Sequence, residues 1–195
     1  MFFYHIGVLQ VASKNTQNVA DGDVLIINEL SEYLKYTDVQ TKFLVDLAKK
    51  GIIAVETLLE EAISKVGKIK RSNKDGEDFV DGSDAKKAVV TLKDANTGER
   101  AASIGNVGNK KGILRVLVSE PMTEQLFFFK IPNREIKGKN SIKISFSREG
   151  GMQDKIRRTL ILNSILDKKT KIKPKSFSER AWLMYRVHSF KELCL

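Results

Sequence analysis

Residues 75–86 read DGEDFVDGSDAK and set five carboxylates, Asp75, Glu77, Asp78, Asp81 and Asp84, inside an otherwise basic half of the chain. Like charges this close raise one another's pKa unless a cation relieves them, and Mg2+ takes oxygen ligands of this kind. The ladder of alternating acids that marks an EF-hand is absent. With Phe79-Val80 as a short strand and Asp81-Gly82 as a turn, Asp84-Ala85-Lys86 opens the next strand. Side chains 84 and 86 then project from one face. An acid and a lysine so placed can hold a metal ion and orient an attacking water, with Asp78, Asp81 and Asp84 as the candidate ligands. Two other readings stay open. Asp-Gly turns flanked by acids are frequent in hairpins without any chemistry, and the segment also suits some other metal site.

The elements around this segment are legible from periodicity. Val24, Ile27, Leu30 and Leu34 fall at helical spacing within 23–35. A second helix is expected after Asp38 as N-cap, with Phe43, Leu44, Leu47 and Ala48 on its inward face and Gly51 as its stop. A third helix spans about 53–66 and ends at Gly67. In it Glu56 precedes Leu59, Ile63 and Val66 by three, seven and ten residues, which puts a carboxylate on the apolar stripe. Glu60 and Glu61 turn more toward solvent. An inward carboxylate is costly unless paired or bound to a cation, so Glu56 is the third candidate catalytic group beside Asp84 and Lys86. After a polar loop at 67–77 the period shortens. Segments 86–93, 100–107, 112–119, 125–132 and 140–147 read as a run of antiparallel strands. A helix over 156–166, an exposed loop over 167–176 and a final strand in AWLMYRVHSF complete the expectation. The opening MFFYHIGVLQVAS lacks a basic start and is read as a first strand instead of a signal peptide. The predicted fold is therefore α+β, with N-terminal helices packed on a mixed, mainly antiparallel sheet. Residues 1–66 form the strand and helices, and 67–195 a basic β-rich part packed with them as one domain.

A helix carrying an inward Glu, a polar loop, then an Asp and an Asp-x-Lys at the start of a hairpin resembles the PD-(D/E)xK nuclease superfamily, which includes many restriction endonucleases. The likeness covers about residues 53–93. It implies a restriction-endonuclease-like core and a Mg2+- or Mn2+-dependent DNA endonuclease. The family's first acid falls on Asp78 or Asp81, its second on Asp84, its lysine on Lys86 and its helix glutamate on Glu56. Two features depart from the family pattern: no proline precedes the first acid, and the interval from Asp78 to Asp84 is short. Family likeness also implies a homodimer for cleavage of both strands.

Charge points the same way from a separate direction. The net charge is +10, but residues 1–66 carry 6 Lys/Arg against 9 Asp/Glu, while 67–195 carry 28 against 15. Within 130–175 there are 14 basic and 4 acidic side chains. A stretch this dense repels itself unless a polyanion lies nearby, and nucleic acid is the usual one, DNA in preference to RNA. Lys110, Lys111, Lys139, Lys143, Arg157 and Arg158 are the expected contacts. The alternative to an endonuclease is thus a non-catalytic nucleic-acid-binding protein, a regulator or phage accessory factor, working through the same basic surface. A third reading treats the lysines as a solvated face of a protein-interaction module.

Other classes are disfavoured. One cysteine, Cys194, allows no internal disulfide and no thiolate zinc site, which fits a cytoplasmic protein. No apolar run approaches the roughly 20 residues that span a bilayer. No serine or cysteine nucleophile has a recognisable base. The 105–112 segment GNVGNKKG has a phosphate-loop composition without Walker spacing and reads as a turn with two lysines. Phe127-Phe128-Phe129, Trp182 and Tyr185 read as core, and His5 and His188 as isolated structural residues.

Overall fold

The computed structural model describes residues 4–74, 77–94, 98–107, 111–146, 174 and 176–195, with side chains from Thr16 onward. Three helices come first: α1 (Tyr4–Leu34), α2 (Asp38–Lys49) and α3 (Val55–Gly67). Six strands follow: β1 (Asp84–Asp94), β2 (Glu99–Gly105), β3 (Ile113–Glu120), β4 (Gln125–Pro132), β5 (Ser141–Phe146) and the two-residue β6 (Arg186–Val187). Short helices α4 (Asn133–Ile136), α5 (Phe177–Arg180) and α6 (Phe190–Cys194) lie among them, and a π-helical segment covers Ala181–Tyr185. The helix expected over 156–166 and most of the loop expected over 167–176 lie outside the described residues, as do Lys110, Arg157 and Arg158.

The molecule is α+β, built on one mixed sheet in the order β5-β2-β1-β3-β4-β6. The strand limits follow the sequence pattern closely and the sheet is mixed and mainly antiparallel as expected, but the run of strands is not antiparallel throughout. β1 pairs antiparallel with β2 and parallel with β3, whereas the β2–β5, β3–β4 and β4–β6 pairs are antiparallel. Alternation read along single strands identifies faces and cannot specify partners, which is why the crossover from β2 past β1 to β3 was invisible.

Each face of the sheet has its own core. On one side α1 and α3 lay Ile26, Ile27, Leu30, Leu59 and Ile63 against Ala85, Leu117 and Phe128. On the other, Ala88, Val116, Phe127, Phe129 and Ile144 meet Trp182 and Tyr185. The aromatic triplet of β4 divides between the two, as strand geometry requires. Helix α1 sits close on the sheet because Gly22 leaves room: a Cβ there would stand 2.6 Å from both Ser119 Oγ and a Val89 methyl. The adjacent Asp23 then receives Lys87 Nζ at 2.5 Å, tying helix to strand.

Several local expectations need correction. From Tyr4 onward the opening segment is part of α1 instead of forming a strand. A short apolar run does not distinguish the two, and a helix nucleated downstream by packing propagates at one hydrogen bond per residue. The N-cap of α2 is Thr37, not Asp38, and it forms a capping box with Gln40. Phe43, expected inward, is 62% exposed. At the end of α3 the left-handed position is Lys68 (φ 54°), with Gly67 still helical. Residues 181–187 are a π-helical segment and a two-residue strand, because that wider turn carries Trp182 onto the sheet. There its ring meets Phe127, Phe129 and Phe146 edge-on at 5.0–5.4 Å between centroids, and its Nε1–H donates to Ser145 O at 3.0 Å.

Candidate functional site

The acidic segment enters β1 through a tight turn. Gly82 takes φ +75°, and its N–H donates to Phe79 O at 2.9 Å. Asp81 Oδ1 accepts from the Ser83 amide at 2.9 Å and also from the Ser83 hydroxyl. Partial burial pushes the Asp81 carboxyl up, but these bonds and the nearby Arg115 outweigh it and leave the pKa below the ordinary value. One turn oxygen is therefore committed to the chain itself. Asp78 is committed similarly: its Oδ2 accepts the Ala85 amide at 2.9 Å and fixes how β1 begins.

Asp84 is fully buried (0% exposed) opposite Leu114 of β3. Alternation along β1 sets Asp84, Lys86, Ala88 and Val90 on one face, with Lys87 turned the other way toward Asp23. Lys86 Nζ reaches Glu56 Oε2 at 3.8 Å, so the helix glutamate and the strand lysine meet across 30 positions of sequence. Glu56 is nevertheless 39% exposed and sits on the rim of α3, not on its apolar stripe. The more enclosed carboxylate is Glu60, one turn further on, which pairs with Arg71. Burial raises its pKa, Asp78 raises it further, and Arg71 and Lys86 act in the opposite sense. The reading of Glu60 as solvent-facing is thus overturned. Glu60 and Arg71 belong to the cluster, and the spacing of Glu60 four residues after Glu56 was the available signal.

Among the described residues the acids are not gathered into a cation shell. Among the described residues no group of three or more Asp, Glu, His or Cys side chains is placed to hold a metal ion. Asp78, Asp81 and Asp84, the expected ligands of Mg2+ or Mn2+, point into three separate local roles: a strand start, an Asx turn and a buried strand position. They do not fit that ion as arranged.

The same end of the sheet is where the basic loops converge. The register brings the starts of β1, β3 and β5 and the ends of β2 and β4 to one edge. Gly112 docks there on the acidic turn, its N–H donating to Gly82 O at 2.8 Å. The 137–140 turn lies beside it, with Val107 N–H directed at Asn140 O at 3.5 Å. Lys111, Arg134, Lys137 and Lys139 are exposed at this end, and Lys143 follows on the exposed face of the edge strand β5. Lys139 Nζ stands 5.1 Å over the Phe177 ring. At the opposite end lie Asp94, Glu99, Glu120 and Glu124, against Lys93 and Arg100, which form pairs with Glu99 and Glu120. The end that holds the acidic turn therefore also carries this group of exposed lysines. His188 is exposed at the far side of β6, away from any acidic cluster. Among the described residues, no helix is long and apolar enough to cross a membrane. No protein-family profile, characterised protein or solved structure matches this chain, so its likeness to the PD-(D/E)xK nucleases rests on the residues alone.

Proposed function

We propose that this protein binds nucleic acid, DNA in the first instance, by gripping the phosphate backbone with the lysines at the β1–β3–β5 end of the sheet. The observation that carries this reading is a crowd of unpaired lysines at one end of the sheet: Lys111, Lys137, Lys139 and Lys143 gather there, and none of them forms an ion pair among the described residues. Asp78, Asp81 and Glu135, which share this end, hold internal partners, so the lysines keep their field for an external polyanion. Titrating a labelled duplex from about 50 to 200 mM salt gives the test. Three phosphate contacts predict a log–log slope of about −3, and Lys111→Glu, Lys139→Glu and Lys143→Glu together flatten it and weaken binding about tenfold or more. Binding that ignores both salt and the triple variant rejects the proposal.

A second reading, phosphodiester hydrolysis of restriction-like type, is favoured by the contact of Glu56 with Lys86 beside the buried Asp84. Because the acids do not gather around a common point, no step through a metal ion follows from this arrangement. Plasmid incubated with Mg2+ or Mn2+ decides it: nicking lost in Asp84→Ala and Lys86→Ala supports hydrolysis, whereas intact plasmid under saturating binding leaves a binding protein.

A further inference from the structure

Arg115 is 97% buried, and its neighbours do not account for its charge. It stands directly opposite Lys130 in the β3–β4 register, so two cations share one face of an antiparallel pair. Like charges so placed repel. The face is the helix-covered one, alongside Leu117 and Phe128, with the Phe79 ring 6.0 Å from the guanidinium carbon. Arg115 Nε–H donates to Leu193 O of α6 at 3.0 Å, and the buried Nη1 has no hydrogen-bond acceptor among the described residues. Asp81 is the acid in range, but it holds Ser83 and makes no ion pair with Arg115 among the described residues. The third neighbour, Cys194, is a buried thiol pushed up to about 12, so it stays neutral. A buried guanidinium with an open donor and a lysine beside it is costly to keep unless an anion compensates it.

We propose that Arg115 and Lys130 form an oxyanion-binding pair that takes a phosphate group, with Arg115 Nη1 as the inner donor and the partly exposed Lys130 as the outer one. Both residues lie two positions from the basic end of the sheet, Arg115 from Ile113 and Lys130 from Pro132. A pair enclosed to this degree suits a phosphate monoester or inorganic phosphate better than an internal phosphodiester, whose two flanking sugars need space. The inference rests on the nucleic-acid reading only for where the phosphate comes from. A strand end and free phosphate offer the same chemistry.

Thermal unfolding of the full chain in inorganic phosphate, against chloride at equal ionic strength, tests the site directly. The expected result is a rise in Tm of about 2–4 °C in phosphate, absent in Lys130→Gln. Lys130→Gln is preferred because Arg115→Gln risks the fold, and circular dichroism verifies that the variant is native. No rise beyond that in chloride, or an undiminished rise in Lys130→Gln, overturns the proposal. A 5′-phosphorylated oligonucleotide is then compared with its 5′-hydroxyl twin. Tighter binding of the phosphorylated strand, lost in Lys130→Gln, assigns the site to strand ends, and equal binding with the Tm response intact assigns it to free phosphate. Oligonucleotides that fail to bind while the Tm response persists reject the nucleic-acid reading and leave the phosphate site standing.

Discussion

Gly112 has no room for a side chain: a Cβ there would stand 2.7 Å from Ser83 N and 2.8 Å from Gly82 C, both backbone atoms that cannot swing aside. Gly112→Ala therefore forces the start of β3 off the acidic turn and is expected to cost about 2–3 kcal/mol in urea unfolding. A second residue-scale prediction concerns Cys194. Burial is the main cause that lifts its thiol to about 12, partly offset by Arg115 and Lys130. The folded pKa lies above the unfolded value, so the associated stability is complete below about pH 9 and declines as pH rises toward 12. The native thiol should accordingly resist a disulfide exchange reagent at pH 8 and react promptly in guanidinium, which absorbance at 412 nm follows directly. At this scale the sequence was a partial guide. The Asp84-x-Lys86 alternation was legible, because strand period is local, whereas the contact of Glu56 with Lys86 was not, because Glu56 lies on the rim of α3 and not on its apolar stripe. The burial of Glu60 was not, because it depends on where Arg71 and Asp78 arrive from another part of the chain.

Elements behaved according to how strongly their ends are marked. The capping box at Thr37 and Gln40 sets the start of α2, with Gln40 N–H donating to Thr37 Oγ1 at 3.3 Å and Thr37 N–H to Gln40 Oε1 at 2.9 Å. Thr37→Ala should destabilise by about 1 kcal/mol in urea unfolding, and Asp38→Ala by clearly less, since Asp38 is the first helical residue and contributes mainly through the helix dipole. An equal loss in both variants would contradict that assignment. Strands β1 to β5 were readable from β-branched and aromatic runs bounded by Gly, Asn or Pro. The first and last elements were not. Apolar residues near Tyr4 and within Ala181–Val187 suit helix or strand equally, and packing chose: helical continuity for α1, the aromatic seat of Trp182 for the π-helical segment.

For the whole molecule, what matters is how charge is distributed along the sheet. If the basic end carries binding, reversing a charge at the other end should leave affinity for a labelled duplex within about twofold. Lys93→Glu, whose present partner is Glu99, is the matched control for Lys139→Glu. Equal losses from both substitutions would mean that net charge, not the sheet end, governs the interaction. The amino-acid sequence by itself determined that this chain is α+β, that its second part is strongly basic, and which residues share each strand face. Those properties follow from composition and from periods of 2 and 3.6, which neighbouring residues alone establish. Only the tertiary structure decided that β1 lies parallel to β3. That pairing brings Gly112 onto the Asp78–Lys86 segment, while Asp78, Asp81 and Asp84 take separate roles. Strand partners and the position of a buried charge are set by long-range packing, which no local pattern encodes.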